Sequence, residues 1–134
     1  MKRKRLMCVA LLVAALTVCR PLLAHHGAAA YEDKILVLKD ATVTKFLWSN
    51  PHNIVMFDVK DDKGEITHWA GEAGSPSATG LLGWTRNSLQ PGDVVTVYIY
   101  PAKSGNPVGR LNKIVFADGK ILRDSQLGGD KKEP

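Results

Sequence analysis

Ile35-Leu36-Val37-Leu38-Lys39-Asp40-Ala41-Thr42-Val43-Thr44-Lys45-Phe46-Leu47-Trp48 is a β-prone run, dominated by branched and aromatic residues and longer than most strands. Its alternation slips partway. Ala41 and Val43 share one parity, whereas Phe46 and Trp48 sit on the other. A phase change inside a strand places a bulge near Thr44-Lys45, which bends the strand and re-aims its side chains. A long, bent first strand is what a small closed barrel requires.

Downstream, Asn50-Pro51 turns the chain, and Asn53 to Lys60 forms a second strand with Val55, Phe57 and Val59 on one face. Asp61-Asp62-Lys63-Gly64 reads as a hairpin loop into a third strand, Glu65 to Ala73. Pairing Lys60 with Glu65 sets Phe57 opposite His68, Val55 opposite Ala70 and Asn53 opposite Glu72, with Trp69 and Met56 sharing the other face. Ser75-Pro76 is an N-cap followed by proline at the first helical position, so Ser77 to Leu82 is a short helix ended at Gly83. Trp84 packs beneath it, and Thr85 caps one further turn through Leu89. Gln90-Pro91-Gly92-Asp93 is a type II turn into a fourth strand, Val94 to Tyr100. Pro101 to Arg110 reads as a loop, Leu111 to Phe116 as a fifth strand, and Ile121-Leu122 as a short sixth. The expected fold is therefore all-β with one short helix: an OB-fold-like Greek-key barrel over residues 35–123. The strand count and the helical insert both argue against an immunoglobulin-like sandwich.

What precedes and follows that domain differs in kind. Lys2 to Arg5 are cationic, Leu6 to Val18 are apolar, and Leu22-Leu23-Ala24 offers a cleavage site. The apolar run is shorter than the roughly 20 residues that span a bilayer. Residues 1–24 are therefore read as a signal peptide, which implies export to the periplasm and no transmembrane segment after cleavage. A lipoprotein form at Cys19 is disfavoured by bulky Val18 where such sites take a small residue. Five of the 18 basic residues and both cysteines lie in this leader. The mature chain then carries 13 basic against 13 acidic residues and has no disulfide. Its charge gives no footing to a nucleic-acid partner. Residues 25–34 form an N-terminal arm, and 124–134 are expected to be a disordered polar tail.

The chemistry available is limited. Cleavage after Ala24 makes His25 the first mature residue, whose amine and imidazole together chelate a metal, and His26 adds another nitrogen. His52 completes the set if the arm folds back over the first loop, and Glu72 lies at the same end as a ligand or supporting carboxylate. Copper or zinc is the expected ion for such nitrogen-rich donors. The plainer account gives His52 a backbone hydrogen bond and packs His68 against Phe57. Trp48, Trp69 and Trp84 are candidates for an aromatic platform for a sugar or base, and Lys103 and Arg110 for meeting an anion, although aromatics in so small a barrel more often serve as core. There is no nucleophile elbow, phosphate loop or carboxylate pair, so no enzyme is indicated.

Ala24-His25-His26-Gly27, Trp48-Ser49-Asn50-Pro51-His52 and Trp69-Ala70-Gly71-Glu72 occur in one order with Gly74-Ser75-Pro76, Gly83-Trp84-Thr85-Arg86 and Leu89-Gln90-Pro91-Gly92-Asp93. Together they resemble family 6152 of the domains of unknown function, small exported proteins of proteobacteria. The resemblance covers the mature chain and implies export and a compact β-rich domain, without an activity. Where that family has a bulky residue soon after the paired histidines, this chain has Ala28-Ala29-Ala30 before Tyr31. The expectation is a periplasmic binding or accessory module, metal-loaded through His25, His26 and His52. The alternative is a metal-free module for an envelope protein or an oligosaccharide.

Overall fold

The computed structural model describes residues 30–125. Residues 1–29, which include the expected signal peptide and His25 and His26, and residues 126–134 lie outside the described residues. Six strands and one helix follow in order: β1 (Leu36–Leu47), β2 (Ile54–Lys60), β3 (Ile66–Glu72), α1 (Pro76–Gly80), β4 (Val94–Pro101), β5 (Val108–Phe116) and β6 (Ile121–Arg123). The sheet order is β3-β2-β1-β4-β5-β6, and a parallel pairing of β3 with β5 closes the first five strands into a barrel. β6 is an extra strand on β5. This is the expected OB-like barrel.

The bulge in β1 lies where the phase change put it: the register with β2 shifts between Val43 and Lys45. Thr44 is the extra residue, and the bend lets Ala41 and Val43 enter the core while Phe46 and Trp48 pack against it from the opposite parity. β1 has a second irregularity, between Leu38 and Ala41 on the β4 side, where Asp40 adopts φ 53. Inward positions alternate in β2 and β4, so Val55, Phe57, Val95, Val97 and Ile99 meet Leu111 and Ile114 in one core.

Three expectations need correcting. In the β2–β3 hairpin, Asp61 N–H donates to the Glu65 carbonyl, and the Asp61 carboxylate accepts from the N–H groups of Lys63 and Glu65. Asp61 and Glu65 therefore close the loop, with Gly64 at φ +87 completing a three-residue connection. The odd loop length moves every pair by one: Phe57 faces Trp69, Asp58 faces His68, Met56 faces Ala70 and Ile54 faces Glu72. His68 accordingly does not pack on Phe57, and Trp69 does not share a face with Met56. Asn53 is paired beyond the strand, accepting from Ala73 N–H and donating its own N–H to the Gly74 carbonyl.

The fifth strand begins at Val108, so the loop read as Pro101 to Arg110 is much shorter and Arg110 is a strand residue. Gly109, which suggested a loop, sits instead at the barrel seam opposite Gly71. A Cβ at Gly109 would lie 2.5 Å from the Tyr100 carbonyl oxygen, and one at Gly71 2.7 Å from a Leu111 methyl. Gly71 thus lets β3 close against Leu111 of β5, while Gly109 lets β5 lie tightly on Ile99 and Tyr100 of β4 at the same seam.

The helix is shorter than predicted and ends at Gly80, although Ser75 caps it by accepting from Ala78 N–H. Asp124, the first residue of the expected tail, lies within the described residues, and its carboxylate accepts from Gly74 N–H at 2.6 Å.

At the other terminus, the arm contributes a short pairing. Tyr31 bridges to Ala102, Glu32 N–H donates to the Pro101 carbonyl, and Lys103 N–H donates to the Ala30 carbonyl. No helix among the described residues is long and apolar enough to cross a membrane.

Candidate functional site

The loop between β1 and β2 is held from below by Asn53, which is fully buried. Its side-chain amide donates to Thr79 Oγ1 at 2.8 Å, and its amide oxygen accepts from Ser49 N–H at 3.3 Å. Thr79 in turn donates to the Ser75 carbonyl inside α1. A buried polar residue is stabilising only when satisfied, so this chain of bonds fixes the loop, the helix and the end of β3 relative to one another. The Asn50–Pro51 peptide in this loop is cis. Ser49 Oγ donates to the His52 carbonyl, which leaves the imidazole to project over the end of β3.

His52 Nδ1 lies 3.2 Å from the Ala73 carbonyl oxygen, and Nε2 lies 3.2 Å from Glu72 Oε1. A carbonyl only accepts, so Nδ1 carries a proton and donates. Nε2 then faces a carboxylate oxygen that, when ionised, also only accepts. Such a pair is completed by a proton or by a cation. Two donor atoms bonded at about 2.0–2.2 Å to one ion sit about 2.9–3.5 Å apart for angles between square-planar and tetrahedral, so the observed separation accommodates either. An imidazole whose other nitrogen is committed to a carbonyl is held in the orientation and tautomer that a ligand needs.

Tyr31 approaches the same carboxylate from the arm, its hydroxyl donating to Glu72 Oε2 at 3.4 Å. The phenol's pKa is raised above its ordinary 10.0, first by burial and then by the charge and hydrogen bond of Glu72, with Arg110 pulling the other way. Arg110 is the parallel partner of Glu72 on β5, and its Nε lies 3.7 Å from Asp124 Oδ2. Asp124 thereby links the last strand to the Gly74 amide beside the site.

Of the residues singled out from the sequence, the fold brings together His52, Glu72 and Arg110. His25 and His26 lie outside the described residues. Lys103 takes part through its main chain alone. Trp48 meets Phe46 edge-on at 6.0 Å, and Phe46 meets Trp84 at 6.0 Å, forming one aromatic cluster. Trp84 also donates from Nε1 to the Arg123 carbonyl. Trp69 is stacked on Phe57 at 6.4 Å and shares no ring contact with that cluster, so the tryptophans form no common platform.

Tyr31, Asn53 and Asp124 are the site residues that sequence reasoning missed. The only signal for Tyr31 was a lone aromatic in an otherwise alanine-rich arm. Asp124 had none, since one acid in a polar stretch looks like any other. Among the described residues, no group of three or more His, Cys, Asp and Glu could hold a metal ion, so His52 and Glu72 form at most half of a site.

A family model described as a family of unknown function, DUF6152, matches residues 13–112. No curated protein and no solved structure matches the chain.

Proposed function

The chain belongs to DUF6152, a family of unknown function, so its role must be read from its own surface, and we propose that it is an exported, periplasmic binding module that holds Cu(II) or Zn(II) between its N-terminal histidines and the His52–Glu72 pair. The observation that carries this reading is the 3.2 Å approach of His52 Nε2 to a carboxylate oxygen while Nδ1 is engaged by a carbonyl. His52 and Glu72 supply two ligands. His25, made the first residue by cleavage after Ala24, supplies its amine and its ring, and His26 a further nitrogen. Chain connectivity keeps the His26 Cα within roughly 18 Å of the Tyr31 Cα, and Tyr31 itself reaches Glu72. A tetragonal nitrogen-rich set suits Cu(II), and a tetrahedral one suits zinc. Tyr31, whose hydroxyl donates to Glu72 Oε2, orients that carboxylate.

The test has two steps. Intact-mass analysis of the exported protein gives the first mature residue, expected to be His25. Cu(II) and Zn(II) titrations then compare the wild type with His52→Ala, which should weaken binding by roughly tenfold or more. A mature start at Tyr31, or an unchanged affinity in His52→Ala, overturns the reading.

A further inference from the structure

We propose that the outer face of β2 and β3 carries a second, softer metal site, in which the Met56 thioether and the His68 imidazole bind Cu(I). The argument begins with strand parity. Val55 and Phe57 point into the core, so Ile54, Met56 and Asp58 point outward, and their partners on β3 are Glu72, Ala70 and His68. Met56 is the one methionine among the described residues, and it lies outside the core that its flexible side chain would normally help to fill. It lines instead a groove of about 520 Å³, with Thr44, Asp58, His68, Ala70 and Val108 among the other walls. Thr44 is present there because the β1 bulge makes it the extra residue.

The histidine in this groove is arranged as a ligand. His68 Nδ1 lies 2.6 Å from Asp58 Oδ1, so Nδ1–H donates to the carboxylate and Nε2 has no partner among the described residues. The side chain is 81% exposed, so nothing packs against it to exclude an ion. A carboxylate behind one ring nitrogen fixes the orientation of the imidazole and the tautomer that leaves the other nitrogen open to an ion.

The choice of ion follows from the second donor. A thioether is soft and uncharged, so it discriminates against calcium and magnesium and favours Cu(I). Cu(I) is also stable with only two or three ligands, so a thioether and an imidazole with one side open suffice. His68 and Glu72 are four residues apart on one strand, a Cα separation of about 13 Å, so the two sites hold separate ions. The proposal therefore stands independently of the His52–Glu72 reading.

The experiment uses the full mature chain with carbon-13 in its methionine methyl groups, titrated anaerobically with Cu(I) delivered from a bicinchoninate complex. Met1 and Met7 belong to the leader, so the mature chain gives a single methyl resonance. That resonance is expected to shift on Cu(I) addition in the wild type and in His52→Ala alike. In His68→Gln it should need roughly tenfold more Cu(I) to move. Met56→Leu keeps the groove wall and removes the sulfur. Its circular dichroism should match the wild type, while its Cu(I) affinity should fall roughly tenfold. A methyl resonance that stays in place throughout the titration overturns the site, as does a folded Met56→Leu chain that takes Cu(I) as tightly as the wild type.

Discussion

The barrel displays two histidine–carboxylate pairs on neighbouring parts of its surface, and they are built in opposite ways. His52 and Glu72 are 3.2 Å apart, and His68 and Asp58 are closer at 2.6 Å. The longer contact is nevertheless the better supported. His52 is tied to the Ala73 carbonyl, its loop is fixed from below by Asn53, and Glu72 is approached by Tyr31 from the arm. His68 is held by strand register and by Asp58 alone. Proximity between a histidine and a carboxylate therefore does not measure how firmly the fold places them. The number of independent elements converging on the pair does.

The largest effect should come from breaking the frame under His52. Asn53→Ala removes a fully buried amide that donates to Thr79 and accepts from Ser49. The lost hydrogen bonds and the space left behind should cost about 2 kcal/mol of folding stability. A urea unfolding curve reads this as a lower midpoint at unchanged slope. A midpoint within error of the wild type would mean that the loop is held by its turn alone, and the contrast between the two pairs would collapse.

How much of this was legible in the sequence follows the same division. The barrel could be read because β1 announces its bulge through a parity change and Ser75-Pro76 announces the helix start. Local chemistry determines both. The β2–β3 register could not be read, because it depends on whether Asp61 caps the loop or leaves it, a choice of one residue that turns His68 from a core neighbour into an outer-face residue. Gly109 misled for a related reason. Glycine at a loop and glycine at a seam look identical until the strand that crowds it is known. At the site, His52 and Glu72 were visible as chemistry at strand ends, whereas Tyr31 and Asp124 reach it from separations of 41 and 50 residues that no local pattern encodes.

A smaller effect should distinguish the arm's contribution. The Tyr31 pKa is higher in the folded chain than its ordinary 10.0, so the folded state holds that proton more tightly than the unfolded one. The resulting stability is fully present below about pH 10 and is lost as the pH rises through the folded value. Tyr31→Phe has no such proton. The stability gap between wild type and Tyr31→Phe, taken from urea midpoints at successive pH values, should be constant up to about pH 10 and shrink above it. A gap that keeps its size through pH 11 would mean that the arm's contact with Glu72 is not sustained in solution, and the support for the first pair would reduce to the loop alone.

The smallest expected effect on stability lies at the second pair, and it carries the other half of the contrast. Asp58→Asn keeps the side chain's shape and removes its charge. An exposed histidine–carboxylate contact typically contributes between zero and about 1 kcal/mol, so the urea midpoint should move by no more than about 1 kcal/mol equivalent. If the carboxylate is there to orient His68 for a metal, the same substitution should still weaken the Cu(I)-induced shift of the Met56 methyl, because an amide can present either its oxygen or its NH2 to Nδ1 and no longer fixes the tautomer that leaves Nε2 open. Near-wild-type stability together with weakened Cu(I) binding is what a surface pair retained for chemistry produces. A loss of 2 kcal/mol or more would instead make Asp58 part of the frame, and the two pairs would differ in position rather than in kind.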